Sequence, residues 1–446
     1  MRISIFCIVL FSAMFFLCAC GSSQPPVTTV IVTSIAKETQ IVDVTRVVEV
    51  TRIVQETRIA TVEITRMIQE VITETPVPPS GSLVEVIQWI ALQLPRAQHT
   101  ATFLSDGRVL LVGGSVAPNI QLADVEIYNP ATGITTLVAP LHTPRLGHTA
   151  TLLSDGRVLV VGGYNHTQLW LDDAEIYDPY ADIWTVVPML TTHGGGHTAT
   201  LMADGRVLVV GGVVGSGKLN DQVEIFDPHT NSWYAAMPLE SERASHTSQL
   251  LEDGRVLVAG GGSATGFPAG GDAIIYDPKV NDWLTTGAMV KPRIFGESVR
   301  LLDGRVLVVG GVNLEDTLSD SPNQKKSASA EIFDPISDTW TATGELSQAR
   351  YGHVIKLLLD GRVLVSGGAR DGDCCWTNDS FVREIEVYDP ESGAWIPAGD
   401  LLQPAIYSAG ILLPDGRVWI TGGQSGESGI SFWSDTWLIT SVFPSY

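Results

Sequence analysis

The chain has 446 residues, 44 of them glycine, with only 17% charged side chains and a formal charge of −22. Such a composition fits a large β-rich body with many tight turns and excludes a disordered or helix-dominated chain. Nearly all the negative charge falls after residue 80, and that surface repels nucleic acid and anionic membranes, whose phosphates call for clustered Lys and Arg.

Residues 1–20 run from Met1-Arg2 through an apolar core, Ile3 to Leu17, to Cys18-Ala19-Cys20. A short basic start, an apolar stretch and a small residue before the cut describe a secretory signal. Leu17-Cys18-Ala19-Cys20-Gly21 resembles the lipobox of bacterial lipoproteins. The resemblance implies a signal peptide over 1–19, a diacylglycerol on Cys20, and an exported body tethered to the cell envelope outside the cytoplasm. The other reading is an uncleaved anchor, although the apolar core is short for a span.

A stalk follows over residues 20–81. Its Thr-Arg phrases, at Thr45-Arg46, Thr51-Arg52, Thr57-Arg58 and Thr65-Arg66, satisfy neither a strict heptad nor a strict alternation. The β-branched residues favour extended chain, and the spaced apolar pairs favour a self-associating helix. Both readings stand, and both make this segment a spacer ended by Pro76, Pro78, Pro79 and Gly81. Beyond it only Cys374 and Cys375 remain of five cysteines, so no disulfide framework is expected, nor a thiolate metal site or other cofactor.

From residue 82 onward one phrase recurs: an apolar run, Asp-Gly-Arg, a second apolar run and Gly-Gly. Its aspartates are Asp106, Asp155, Asp204, Asp253, Asp303, Asp360 and Asp415, spaced 49, 49, 49, 50, 57 and 55 residues apart. A period near fifty predicts a β-propeller with one four-stranded blade per copy. In residues 148–196 the strands are expected at His148–Leu153, Arg157–Val161, Ala174–Tyr177 and around Trp184. The Asp-Gly pair makes the hairpin between the first two.

The diglycine followed by an aromatic, with Trp seven residues later (Tyr177 and Trp184, Phe226 and Trp233, Tyr276 and Trp283, Phe333 and Trp340, Tyr388 and Trp395), resembles the kelch repeat. Blade one departs, with Tyr128 followed by Thr135. The His-Thr-Ala-Thr and Asp-Gly-Arg-Val-Leu phrases are similar to those of galactose-oxidase-like propellers. The expected fold is therefore all-β: a seven-bladed kelch-type propeller over 82–446. Blade seven has Trp437 at its aromatic position and lacks room for a fourth strand. Val84 to Ile90 is expected to supply that strand, with Val86 in the Trp position, removing two exposed edges.

Strand direction puts the Asp-Gly and Asp-Pro turns on one face and the variable connections, including 312–330 and 369–384, on the other. Variable loops on a rigid scaffold are where binding concentrates. At the inner-strand starts on that face stand His99, His148, His197, His246 and His353, with Glu297 and Ser408 in the other two blades. They read either as a ring of imidazole ligands or as repeated hydrogen-bonding braces. Arg96, Arg145, Arg243, Arg293 and Arg350 precede them, and their forks suit ligand carboxylates or pairing with acidic loop residues. The Asp-Gly-Arg arginines are expected to be architectural, near the Asp of Asp-Pro. In the blade-six insert Asp371 and Asp373 offer hard oxygens, and Trp376 offers a face for a sugar ring.

The galactose-oxidase resemblance implies copper, a Tyr–Cys crosslink and a further domain, and the residues after the seventh repeat leave no room for that domain. A sugar mutarotase would use Glu297 with Arg293. The reading adopted is a non-catalytic module that binds a protein or glycan through the variable face. The carbohydrate-active enzyme, an oxidase or a mutarotase, is the alternative.

Overall fold

The computed structural model describes residues 83–215, 217–262, 273–313, 327–370, 380–426 and 431–441. They form seven four-stranded antiparallel sheets. Blade two is representative, with strands Thr149–Leu152, Val158–Val161, Asp173–Asp178 and Ile183–Pro188, each within two residues of expectation. The second strands are fully buried and apolar, as in Val158–Val161, apart from Ser366 and Thr421 at the ends of two of them, because both of their faces meet a neighbouring blade. Seven apolar clusters result, one per seam. In the first, Leu110 and Val112 of blade one pack on Val158, Val160 and Tyr177 of blade two.

The ring closes as expected. Val84–Gln88 pairs with Thr436–Ser441 as the outermost strand of blade seven, and Val86 lies opposite Ile439. The register corrects one detail. Val418 pairs with Ile439 as Val158 pairs with Tyr177, so Ile439 holds the aromatic position and Trp437 lies two residues earlier. Blade one does lack the outer Trp, since Tyr128 pairs with Thr135. Trp89 compensates by donating its indole N–H to the Tyr128 hydroxyl at 2.8 Å.

The diglycines set the spacing of the blades. A Cβ on Gly162 would fall 2.6 Å from the Gly194 carbonyl oxygen and 3.1 Å from the His197 ring. Across the closure, one on Gly422 would fall 2.2 Å from the Arg96 oxygen. Only glycine permits backbones to approach this closely.

Candidate functional site

The inner strands stand side by side around the axis, and in five of them the residue just before the strand is one of the repeated histidines. His148 Nε2 shares a hydrogen bond with Thr100 Oγ1 of the preceding blade at 3.0 Å. His197 does so with Thr149 at 2.9 Å and His246 with Thr198 at 2.9 Å. In blade seven the equivalent of Thr149 is Ala409, and Thr421, opposite it in the ladder, supplies the hydroxyl to His99 at 2.8 Å. Burial, with neighbouring positive charge and imidazole as lesser causes, holds His148 and His197 near pKa 3, and pushes His99 and His246 well below the ordinary value. These four imidazoles are neutral braces between blades.

His353 differs. It is equally buried, with its pKa held at about 3, yet its Nε2 has no hydrogen-bond partner, whereas only Nδ1 lacks one in the other four. The cause lies in blade five, and it corrects the placement of Glu297. Glu297 pairs with Val309 as Thr149 pairs with Val161, so Glu297 stands in the threonine position. Gly296 stands where the histidine would be. Glu297 does not start the clasp; it replaces its hydroxyl. Burial raises its carboxyl to about pKa 7, against the lowering effect of Lys356.

The arginines are turned inward. Arg96, Arg145 and Arg350 are 0% exposed and Arg293 is 2% exposed. Each pairs with a buried third-strand glutamate: Arg96 with Glu126 at 2.5 Å, Arg145 with Glu175 at 2.8 Å, Arg293 with Glu331 at 2.5 Å and Arg350 with Glu386 at 2.6 Å. Each also donates to the first carbonyl of its own diglycine, as Arg145 does to Gly162 at 2.7 Å. The second carboxylate oxygen accepts an N–H from the chain joining two blades, such as His142 to Glu175 at 2.9 Å. The expected partners were acidic loop residues. The main partners are strand residues, because a buried guanidinium needs a buried carboxylate beside it. Arg243 donates to Gly260 at 3.4 Å, and its blade has Ile274 at the glutamate position.

Sequence reasoning missed these glutamates, although a Glu two residues before the aromatic recurs in five blades. It also missed His193. This side chain is 0% exposed, bonds the Gly211 oxygen at 2.7 Å and lies 3.7 Å from Glu224, in place of arginine. The Asp-Gly-Arg arginines are architectural, but their partner is the Asp of their own phrase, as in Arg108–Asp106 at 2.6 Å. Arg108 and Arg157 also reach the neighbouring Asp-Pro turn through its proline carbonyl, Arg157 to Pro228 at 2.7 Å.

A ring of left-handed residues stands at the channel mouth on the variable face: Gln98, Gly147, Gly196, Ser245, Phe295, Gly352 and Tyr407. Their backbones are stitched blade to blade, with Gly147 N–H donating to Gln98, Ser245 to Gly196, Phe295 to Ser245, Tyr407 to Gly352 and Gln98 to Tyr407. The circle is interrupted between Gly147 and Gly196 and between Phe295 and Gly352.

Among the described residues no three His, Cys, Asp or Glu side chains gather in a metal-binding cluster. With four of the five histidines tied to threonines, these residues do not fit the copper set that the galactose-oxidase resemblance implies. Asp371, Asp373 and Trp376 lie outside the described residues, as do the cysteine pair, Cys20 and the stalk.

Closed seams, diglycine contacts and repeated braces define a seven-bladed β-propeller. Residues 98–311 match the KLHDC2/KLHL20/DRC7 Kelch-repeats domain. Kelch-like protein 33 of Homo sapiens is 31% identical over 99 residues, 22% of this chain and 17% of that protein. Kelch-like protein 21 of Danio rerio is 31% identical over 86 residues, 19% and 13% respectively. The matched stretch is thus under one fifth of either relative. A fungal alcohol oxidase of the AA5 family in complex with copper superposes with a TM-score of 0.62 at 18% identity, over 80% of this chain and 75% of that one. YjhT does so with a TM-score of 0.53 at 17% identity, over 69% and 99%. These two likenesses are of fold alone.

Proposed function

We propose that this propeller is a non-catalytic binding module, tethered to the cell envelope through Cys20, which engages a protein or glycan partner with the variable face of blades five and six. The observation that carries this reading is the commitment of the repeated chemistry. Four of the five histidines clasp neighbouring blades, and four of the five arginines hold buried glutamates. The Asp-Gly-Arg ion pairs neutralise the opposite face locally. The connections that vary between blades are left to recognise a partner, the usual division between scaffold and loop.

The test replaces residues 314–326 and 371–379 with short Gly-Ser turns and measures capture of partners on the immobilised protein. Capture should be lost while the unfolding transition is retained. Undiminished capture by the shortened protein overturns the reading. Tethering is tested separately by labelling with a radioactive fatty acid, which Cys20→Ser should abolish.

A further inference from the structure

The inner ring is satisfied on one side and unsatisfied on the other. Around blades one to four the clasp histidines find hydroxyls. Between blades five and seven the clasp positions hold Gly296-Glu297, His353-Val354 and Ser408-Ala409, with Lys356 two residues beyond Val354 and Ser366 opposite Val354. His353 is 5% exposed with both nitrogens unpartnered. Ser366 is 1% exposed, and its hydroxyl is likewise unpartnered. It stands opposite Val354 in the ladder as Thr421 stands opposite Ala409. Buried polar groups in folded proteins nearly always find a partner. Nδ1 is unpartnered in all five histidines, but His353 Nε2 and the Ser366 hydroxyl fail where their counterparts are mated, and these two failures at adjacent seams point to a ligand.

Glu297 and Lys356 add opposite charges. They lie in neighbouring inner strands, Glu297–Arg300 and Val354–Leu357, and both are partly exposed. Inside a closed ring of strands that exposure is to the axial channel. Each feels the charge of the other, yet they stand farther apart than the 4.0 Å of an ion pair. Burial raises the Glu297 carboxyl and lowers the Lys356 amine, as expected for charges that lack a close counter-charge. The other charged groups nearby are occupied, Arg293 by Glu331 and Arg350 by Glu386. The mouth of the channel is open in its backbone stitching at Phe295–Gly352, directly over this seam. The other interruption, at Gly147–Gly196, stands over the intact Thr149–His197 clasp.

A simple anion would mate Lys356, leave Glu297 uncompensated and face the negative field of the whole protein. A simple cation would do the reverse with Lys356, and a neutral polyol would compensate neither. We infer that the axial channel between blades five and seven binds a compact zwitterion of the α-amino-acid type. Glu297 takes its ammonium, Lys356 takes its carboxylate, and His353 and Ser366 supply further hydrogen bonds. This site is independent of the partner surface proposed above.

The experiment is titration calorimetry of the full chain with glycine and alanine, and with glycerol and glucose at the same concentrations. The amino acids should bind and the polyols should not. Near pH 7 binding should release protons from Glu297, read as a dependence of the heat on the buffer's ionisation enthalpy. Glu297→Thr restores the hydroxyl of the other clasps and is expected to fold. It and Lys356→Met should each weaken binding at least about tenfold, the loss of one charge-assisted contact. Thr151→Val, at the position of Lys356 in blade two, should leave binding unchanged. Absence of amino-acid binding, equal binding of the polyols, or indifference to both channel substitutions overturns the inference. Partner capture by the loops should survive Glu297→Thr, so the two proposals fail separately.

Discussion

In blades one to four the innermost strands present a histidine and then a threonine, and each seam is clasped by the pair. In blades five to seven the same strands present Gly296-Glu297, His353-Val354 and Ser408-Ala409, and the clasp survives only where Thr421 reaches across to His99. Both halves close the same ring, with the same diglycine contacts and apolar seams. The clasp is therefore an increment of stability rather than a condition of the fold. Where it is absent, the buried polar groups have been released from architecture. A repeat protein shows its scaffold in what recurs and its individuality in what breaks the recurrence.

The sharpest way to break the comparison is through the arginine–glutamate pairs, which span both halves. Arg350→Ala leaves Glu386 charged and buried, and should cost about 3–5 kcal/mol in urea unfolding. Arg350→Ala with Glu386→Leu should recover part of that loss, whereas a purely additive cycle would deny the coupling. Next comes closure. Gly422→Ala, at φ +58° with its Cβ 2.2 Å from the Arg96 oxygen, should cost roughly 3 kcal/mol, through backbone strain and a steric clash. An unchanged midpoint would mean that blades seven and one do not meet as described.

The third test concerns pH. Glu297 has its pKa raised to about 7 in the folded protein. Its protonated form therefore stabilises the fold fully below its ordinary value near 4.5. That contribution is lost as pH rises through 7, and the difference is at most about 3 kcal/mol. Glu297→Gln should flatten the stability profile between these two values and raise stability at pH 8. His353, neutral throughout, and Lys356, the charge facing Glu297, do not reverse this sign. The smallest effect belongs to a single clasp. Thr149→Val should cost about 1 kcal/mol by leaving His197 without its hydroxyl, whereas Val354→Ala in blade six has no clasp to lose. Equal hydrogen-exchange protection at the two seams before mutation would erase the contrast between the halves.

Much of the blade was legible in the residues. The strands of blade two, the Asp-Gly hairpins with glycine near φ +88°, and the outer strand from Val84 to Gln88 all follow from period and turn chemistry. The histidines were legible as a set, and the brace was one of the two roles read for them. Glu297 was misplaced by one residue: it lies six residues before Asp303, as Thr149 lies six before Asp155, whereas each ring histidine lies seven before its Asp, and the pairing of Glu297 with Val309 bears out that spacing. The glutamates at positions 126, 175, 224, 331 and 386 were overlooked, since within an apolar third strand nothing local says that a carboxylate faces a buried arginine some thirty residues away. His193 escaped for the same reason, standing in for arginine one residue out of step.

The sequence by itself determined the number of blades, the face on which each turn lies, and the sharing of one sheet by the two ends of the ring. Those properties depend on period, alternation and chain direction, which are local. Only the tertiary structure decided which polar residue answers which. A strand's outward and inward residues acquire partners from neighbouring blades, and those partners depend on registers between segments far apart in the chain. The unmated Glu297, His353, Lys356 and Ser366 came to light only once the hydroxyl–imidazole clasps of the other blades had been traced.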